Sequence, residues 1–276
     1  MYKNLAQNMR LILITIGILS SSAAFSQQLA ESEIFFKPAD ESNVSIFLVL
    51  KKLPDQYFLF TIPEIFTGKN LGKGLFNGDL KPWSINGNYG TRSVKNSKYS
   101  YTVELKLNEI ENEYWLAWTI KFKNKSKASL HDLAAFNCLT MDRAPHFKDT
   151  TMSRTWAKDQ FDKPILLKNI QKTSGGGRRT MQFYPVIGGI DLAESPWING
   201  WDVNATTRLS GNSVWLESVD GNWKIETIVD GQPAFFFNNW EADHGCIHSS
   251  PLLAKELKPG EMATASGRFR FFKLKN

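Results

Sequence analysis

The chain has 276 residues with 33 basic and 27 acidic side chains, a formal charge of +6, and 13% aromatic residues. This length can bury a large core, while the small basic excess is far from a nucleic-acid footprint, which needs cations gathered on one face or helix. Two cysteines, Cys138 and Cys246, lie far apart and in no CxxC spacing, so one disulfide and two buried thiols both stay open.

The first segment, MYKNLAQNMR, carries Lys3 and Arg10 without an acid. LILITIGILS follows as an apolar run, and SSAAFSQQ then supplies small residues. This is the pattern of a secretory signal peptide, with cleavage after Ala24 or Ser26. The apolar run is too short for a comfortable membrane span, and no later segment provides one. Removing residues 1–26 takes away two of the 33 basic residues and none of the 27 acids, leaving +4. The expectation is a mature chain of residues 27–276, exported to the periplasm or beyond, folded as a single domain.

Along the mature chain almost every periodic signal is of period two. Residues 67–92 and 171–179 are rich in glycine and predict loops. YSYTVELKL (99–107) alternates strictly, and EYWLAWTIKFKN (113–124) and RTMQFYPVI (179–187) are aromatic and β-branched, as strands prefer. SVWLESVDGNWKIETIVDG predicts a hairpin about Asp220-Gly221-Asn222. PLLAKEL (251–257) could form one short helix with proline in its first turn. ELKPGEMATASGRFRFFK then predicts a Pro259-Gly260 turn and a long strand. The fold class is all-β, an antiparallel β-sandwich with very little helix.

Several constellations could carry chemistry. Cys138 sits in AFNCLTMDRAPHFKD near Asp142, Arg143, His146 and Asp149, and Cys246 sits between His244 and His248 in EADHGCIHSSP. Residues two apart share one face of a strand. If the two segments met across a sheet, zinc could take His and Cys ligands with a third from Asp142 or His146. The competing reading is that these cysteines are small buried hydrophobes, and the expected cofactor is none, with zinc as the alternative. Ser249 and Ser250 flank His248 without a G-x-S-x-G elbow, which argues against a serine triad. SGGGRR lacks the G-K-[ST] ending of a phosphate loop, so it reads as a flexible loop presenting Arg178 and Arg179. Trp83, Trp197 and Trp201 lie in loop-like contexts beside Asn, Gly and Asp; such rings stack on sugars or cap the core.

The acids Glu64, Asp142, Asp149, Asp202, Glu241 and Asp243 are scattered, and no glycosidase pair can be selected from them. Elimination beside a uronic acid has other needs. A cation must offset the carboxylate, a base must take the α-proton, and an acid must protonate the leaving oxygen. Arg143 suits the first role, His248 or His146 the second, and Tyr184 the third, with Trp83, Trp197, Trp201, Arg178 and Arg179 as substrate-binding candidates.

Two blocks, NCLTMDRAPHFKD and GCIHSSPLLAKELKPGEMATASGRFRFF, are similar to the pattern C-L-x-L, P-x-F-x-D, C-[LIM]-H-[AS]-D-P, L-x-P-G-E, G-R-x-x-F of a group of exported bacterial β-sandwich proteins. Cys138, Asp149, Cys246, His248, Pro251, Pro259, Gly260, Gly267 and Arg268 fit it; Ser250 replaces its Asp, and His244 lies outside it. The resemblance implies a sandwich like those of sugar mutarotases and polysaccharide lyases, and a place beside polysaccharide-degrading enzymes. The expected function is action on uronate-containing saccharides by β-elimination, of lyase or dehydratase type. The alternative is a non-catalytic saccharide-binding or surface protein. An acidic poly- or oligosaccharide is the expected partner, with no nucleic acid and no membrane span.

Overall fold

The structure, a computed structural model, describes residues 32–71, 81–172, 181–191, 203–240 and 245–274. It is a two-sheet β-sandwich. In chain order the first strands are β1 (Ile34–Pro38), β2 (Ile46–Leu50), β3 (Tyr57–Lys69), β4 (Ser84–Asn86), β5 (Tyr89–Lys95), β6 (Tyr99–Ile110), β7 (Glu113–Asn124) and β8 (Leu130–Arg143). Short strands β9 (Thr155–Lys158), β10 (Pro164–Leu166), β11 (Met181–Pro185) and β12 (Val203–Asn204) follow. The chain closes with β13 (Ser210–Glu217), β14 (Trp223–Val229), β15 (Pro233–Trp240), β16 (Gly245–Leu257) and β17 (Met262–Lys273). Among the described residues one sheet has eight strands in the order β1-β2-β3-β8-β16-β15-β11-β12, and the other has nine in the order β10-β9-β13-β14-β17-β7-β6-β5-β4. Pairing is antiparallel except for the short β11–β12 contact.

The alternation in the sequence explains the nine-stranded sheet directly. In β6 and β7 every second side chain is buried, among them Tyr101, Val103 and Leu105 against Leu116, Trp118, Ile120 and Phe122. Across the core Phe66 of β3 meets Phe122 of β7 with ring centroids 4.8 Å apart, and Phe58 of β3 meets Phe271 of β17 at 4.9 Å. Aromatic pairs at such spacing add to the burial of their area.

The eight-stranded sheet behaves differently. Leu133 through Met141 of β8 and Gly245 through Pro251 of β16 are buried without a break, so the sheet is covered on both faces. Its inner face joins the main core through Leu139, Met141 and Ile247. Its outer face carries a second apolar cluster that includes Ile65, Phe136, Phe183, Phe235 and Phe237.

The hairpin about Asp220-Gly221-Asn222 joins β13 to β14 as expected: Gly221 has φ +70°, and Asp220 Oδ1 accepts the Asn222 N–H at 3.1 Å. Two expectations are corrected. PLLAKEL is no helix but the second half of β16, because Leu252, Ala254 and Leu257 pair with β8 and a lone apolar heptad gains more from that partner than from one helical turn. Within 67–92, residues 67–69 belong to β3, and β4 and β5 occupy 84–86 and 89–95, since Gly87 takes a turn conformation at φ +58° and Gly90 pairs within the ladder. Among the described residues no helix is long and apolar enough to cross a membrane.

Gly267 of β17 lies opposite Trp118, and a Cβ placed there would meet the Ile228 carbonyl oxygen at 2.2 Å and the Trp118 ring at 2.4 Å. Gly267→Ala should therefore lower stability by about 1–3 kcal/mol, the usual cost of overpacking. The change should show as a lower denaturant midpoint with an unchanged slope.

Candidate functional site

Cys138 of β8 stands directly opposite His248 of β16, and Cys246 stands opposite Thr140. Cys246 and His248 are two apart on one strand, so both point to the same face as Cys138. That is the outer face of the eight-stranded sheet, where the His248 ring packs on Phe237 at 4.4 Å and near Phe136 at 6.5 Å. The ligand atoms of Cys138, Cys246 and His248 all lie within 4.8 Å of one another. All three residues are buried, and the two cysteines are not joined in a disulfide.

The fourth member comes from β3. Between Thr61, opposite Cys138, and Ile65, opposite Phe136, three residues (Ile62, Pro63 and Glu64) stand against Asn137 alone. Such a bulge re-aims side chains, and this one brings Glu64 Oε2 to 2.9 Å from His248 Nε2. The other ring nitrogen, Nδ1, is 3.2 Å from the Phe237 carbonyl oxygen. His248 thus has an acceptor at each nitrogen. Its side chain is 2% exposed, whereas that of Glu64 is 29% exposed, so the carboxylate is the solvent-facing part of the cluster.

Electrostatics couple these groups. Burial works against a charged imidazole, but the facing Cys138 sulfur and the Glu64 carboxylate outweigh it and push His248 up to about 10. A hydrogen bond from Cys246, helped by His248, draws the Cys138 thiol down to about 6. Burial and the neighbouring Cys138 hold the Cys246 thiol well above its usual range.

Beside this cluster, on the same face, lies a cavity of about 250 Å³ lined by Asp40, Phe47, Tyr57, Thr140, Asp142 and Arg143, among others. It is slightly below the roughly 300–1,000 Å³ of common small-molecule pockets. Thr140 joins cavity to cluster: it lines the former, and its Oγ1 lies 3.3 Å from Cys138 Sγ. Asp142 Oδ1 accepts the Gly245 N–H at 2.9 Å, and Asp40 Oδ1 accepts the Ser42 N–H at 2.9 Å, so both acids are engaged with backbone. Arg143 is exposed, lies 5.3 Å from the Phe47 ring centroid, and makes no ion pair among the described residues. Phe47 and Tyr57 pack edge to face at 5.8 Å.

The predicted site residues are therefore only partly brought together. Arg143 and His248 share the outer face, but Arg143 is five residues beyond Cys138 along β8. At about 3.3 Å per residue that is about 16 Å of strand, too far for both to act on one sugar ring.

Tyr184 is not an acid for a leaving group. It faces the sandwich interior with 0% exposure, its hydroxyl bonds Gln182 Oε1 at 2.6 Å, and burial drives its pKa upward. It lies on the opposite side of the sheet from His248. His146 is exposed on a short 3-10 turn (Pro145–Phe147) whose backbone contacts Gln56 and Val219, away from the cluster. Trp83 caps the core: it is 4% exposed, edge-on to Phe60 at 5.8 Å and under the Arg92 guanidinium at 4.1 Å. Arg178, Arg179, Trp197, Trp201 and His244 lie outside the described residues.

Glu64 had no role in the sequence reading. The available signal was Pro63 inside the apolar run YFLFTIPEIFTGK, since proline within a strand pattern marks a bulge.

No protein-family model matches the chain, and no curated protein matches it in sequence. Among solved structures the chain is similar to a galactose mutarotase-like protein from Lactobacillus casei ATCC 334, at 11% identity over 87% of this chain and 98% of that one, with a TM-score of 0.48. It is similar to a protein of Synechocystis sp. PCC 6803 at 11% identity over 88% and 96% of the two chains, with a TM-score of 0.40. It also matches 32% of a polysaccharide lyase at 12% identity over 88% of this chain, with a TM-score of 0.39.

The placement of Tyr184 yields a direct test. Tyr184→Phe should cost about 1 kcal/mol of stability through the lost hydroxyl contact to Gln182. A denaturant midpoint equal to that of the unaltered chain would show that the contact adds nothing to the fold.

Proposed function

We propose that this chain is an exported carbohydrate-active protein that takes uronate-containing oligosaccharides along the outer face of the eight-stranded sheet and acts on them by elimination. The observation that carries the reading is one sheet face holding a cavity with aromatic rings and an exposed arginine that makes no ion pair among the described residues, beside a pair of buried His248 and part-exposed Glu64. Phe47 and Tyr57 offer apolar surface to a sugar ring. Arg143 has the planar donor fork that suits a carboxylate. The separation along β8 assigns Arg143 to the carboxylate of a neighbouring sugar unit rather than of the reacting one.

At the reacting end, Glu64 is the proton acceptor, because it is the member of the pair that reaches solvent, and His248 positions it through the 2.9 Å contact. The α-proton leaves carbon for the Glu64 carboxylate, the bond from the β-carbon to the leaving oxygen breaks, and that oxygen takes up a proton from solvent water, to which Glu64 later returns the one it took. The product carries a double bond conjugated to its carboxylate, which absorbs in the near ultraviolet.

The test is the absorbance of that double bond when purified chain meets a panel of uronic-acid oligomers. Glu64→Gln should abolish the rise. Arg143→Ala should raise KM about 10–100-fold with a smaller change in kcat, as expected for the loss of one charge-assisted contact to substrate. No rise with any oligomer would overturn elimination. Binding that persists without product and weakens with Arg143→Ala would make the chain a non-catalytic saccharide binder.

A further inference from the structure

We infer that Cys138, Cys246 and His248 form a three-ligand zinc centre on the outer face of the eight-stranded sheet, with its open coordination position turned toward Glu64. The centre stands on geometry alone. It rests on the saccharide reading only for what the open position receives.

Tetrahedral zinc, with Zn–S near 2.3 Å and Zn–N near 2.0–2.1 Å, sets neighbouring sulfur and nitrogen ligands about 3.6 Å apart. Cys246 Sγ and His248 Nε2 are 3.7 Å apart, and the three ligand atoms fall within 4.8 Å of one another. The spacing is held by strand register, with His248 opposite Cys138 and Cys246 one pleat along, so little rearrangement is needed on binding.

The histidine is oriented for the role. Nδ1 faces the Phe237 carbonyl at 3.2 Å, so the Nδ1–H form donates there and leaves Nε2, 3.7 Å from Cys246 Sγ, to bind a metal in exchange for its contact with Glu64. A backbone carbonyl on the far nitrogen is the usual outer support of a ligating imidazole. Asp142, bonded to the N–H of Gly245, pins the strand next to Cys246.

Charge favours the same assignment. The site lies among Phe136, Phe237 and neighbouring apolar groups, where an unpaired charge is costly. Two thiolates and a neutral imidazole around a divalent ion sum to zero. Both thiol protons, and the Nε2 proton if present, are released on binding. Thiolate and imidazole together select zinc over magnesium, calcium or manganese.

Glu64 is outside the ligand triplet and partly exposed, so it borders the remaining position from the solvent side. Three protein ligands and one open position are the arrangement of a catalytic rather than a structural zinc. On the saccharide reading, that position would hold the carboxylate of the reacting uronate, a cation that Arg143 is too distant to supply. Glu64, outside the ligand set, would take the proton.

The experiment is metal analysis of the full chain purified without chelator, followed by replacement with cobalt(II). About one zinc per chain is expected, with both thiols protected from alkylation until a chelator is added. Cobalt(II) should produce a sulfur-to-metal charge-transfer band that Cys246→Ser and His248→Gln each weaken at least about tenfold in apparent affinity and that Glu64→Gln retains. Circular dichroism confirms that each variant is folded. Should Cys246→Ser fail to fold, His248→Gln and the thiol protection of the unaltered chain decide the matter. Background zinc with no cobalt band, or a Cys138–Cys246 disulfide in the purified chain, would overturn the centre. Zinc without saccharide turnover would leave it standing and remove the elimination reading; turnover without zinc would do the reverse.

Discussion

β8 and β16 run side by side in the middle of the eight-stranded sheet, and their antiparallel register places His248 across from Cys138. A slip of one residue would turn Cys246 and His248 into the sandwich core and Ile247 and Ser249 outward, because successive side chains point to opposite faces. Ile247 and Leu139 belong to the main core, and their burial resists that slip. The position of the chemistry is thus fixed by apolar residues that take no part in it.

The same two strands are buried on both faces, which is uncommon in an antiparallel sheet with one solvated side. On the inner face the covering layer is the nine-stranded sheet. On the outer face Phe136, Phe183, Phe235 and Phe237 form a second apolar patch. Polar groups set in such a patch interact at low effective dielectric, so a contact of 2.9 Å between His248 and Glu64 matters more there than at an exposed edge. The bulge in β3 is the local irregularity that admits the carboxylate. It gives up regular pairing over three residues and sets Glu64 at the boundary between buried cluster and solvent.

Along β8 the face changes character within a few residues. Cys138 is enclosed, Thr140 touches both the cluster and the cavity, and Asp142 and Arg143 lie at the exposed end. The register between β3 and β8 shifts between Tyr57 and Leu59, so Asp142 and Arg143 both line the cavity although they are adjacent in sequence. A buried polar cluster and an open aromatic recess on one rigid sheet form a gradient from dry to wet over a short run of strand.

The sandwich, the hairpin at Gly221 and the strands at 99–107 and 113–124 were determined by the sequence alone, because strict alternation and turn glycines are local signals that a single strand displays by itself. So was the suspicion that the segments around Cys138 and Cys246 belong together. The sequence could not distinguish Tyr184, which faces the interior, from His248, which faces outward, since each sits in a strand buried on both faces, where the alternation that marks sidedness is lost. Trp83 in a loop-like context and PLLAKEL with its helical composition were settled by partners remote in the chain, Phe60 and Arg92 for the one and β8 for the other. Only the tertiary structure decided that Glu64 reaches His248 across 184 residues and that Arg143 stands far along the strand from it. Both are consequences of register and bulge, which arise from pairing between strands and leave no periodic mark on either one.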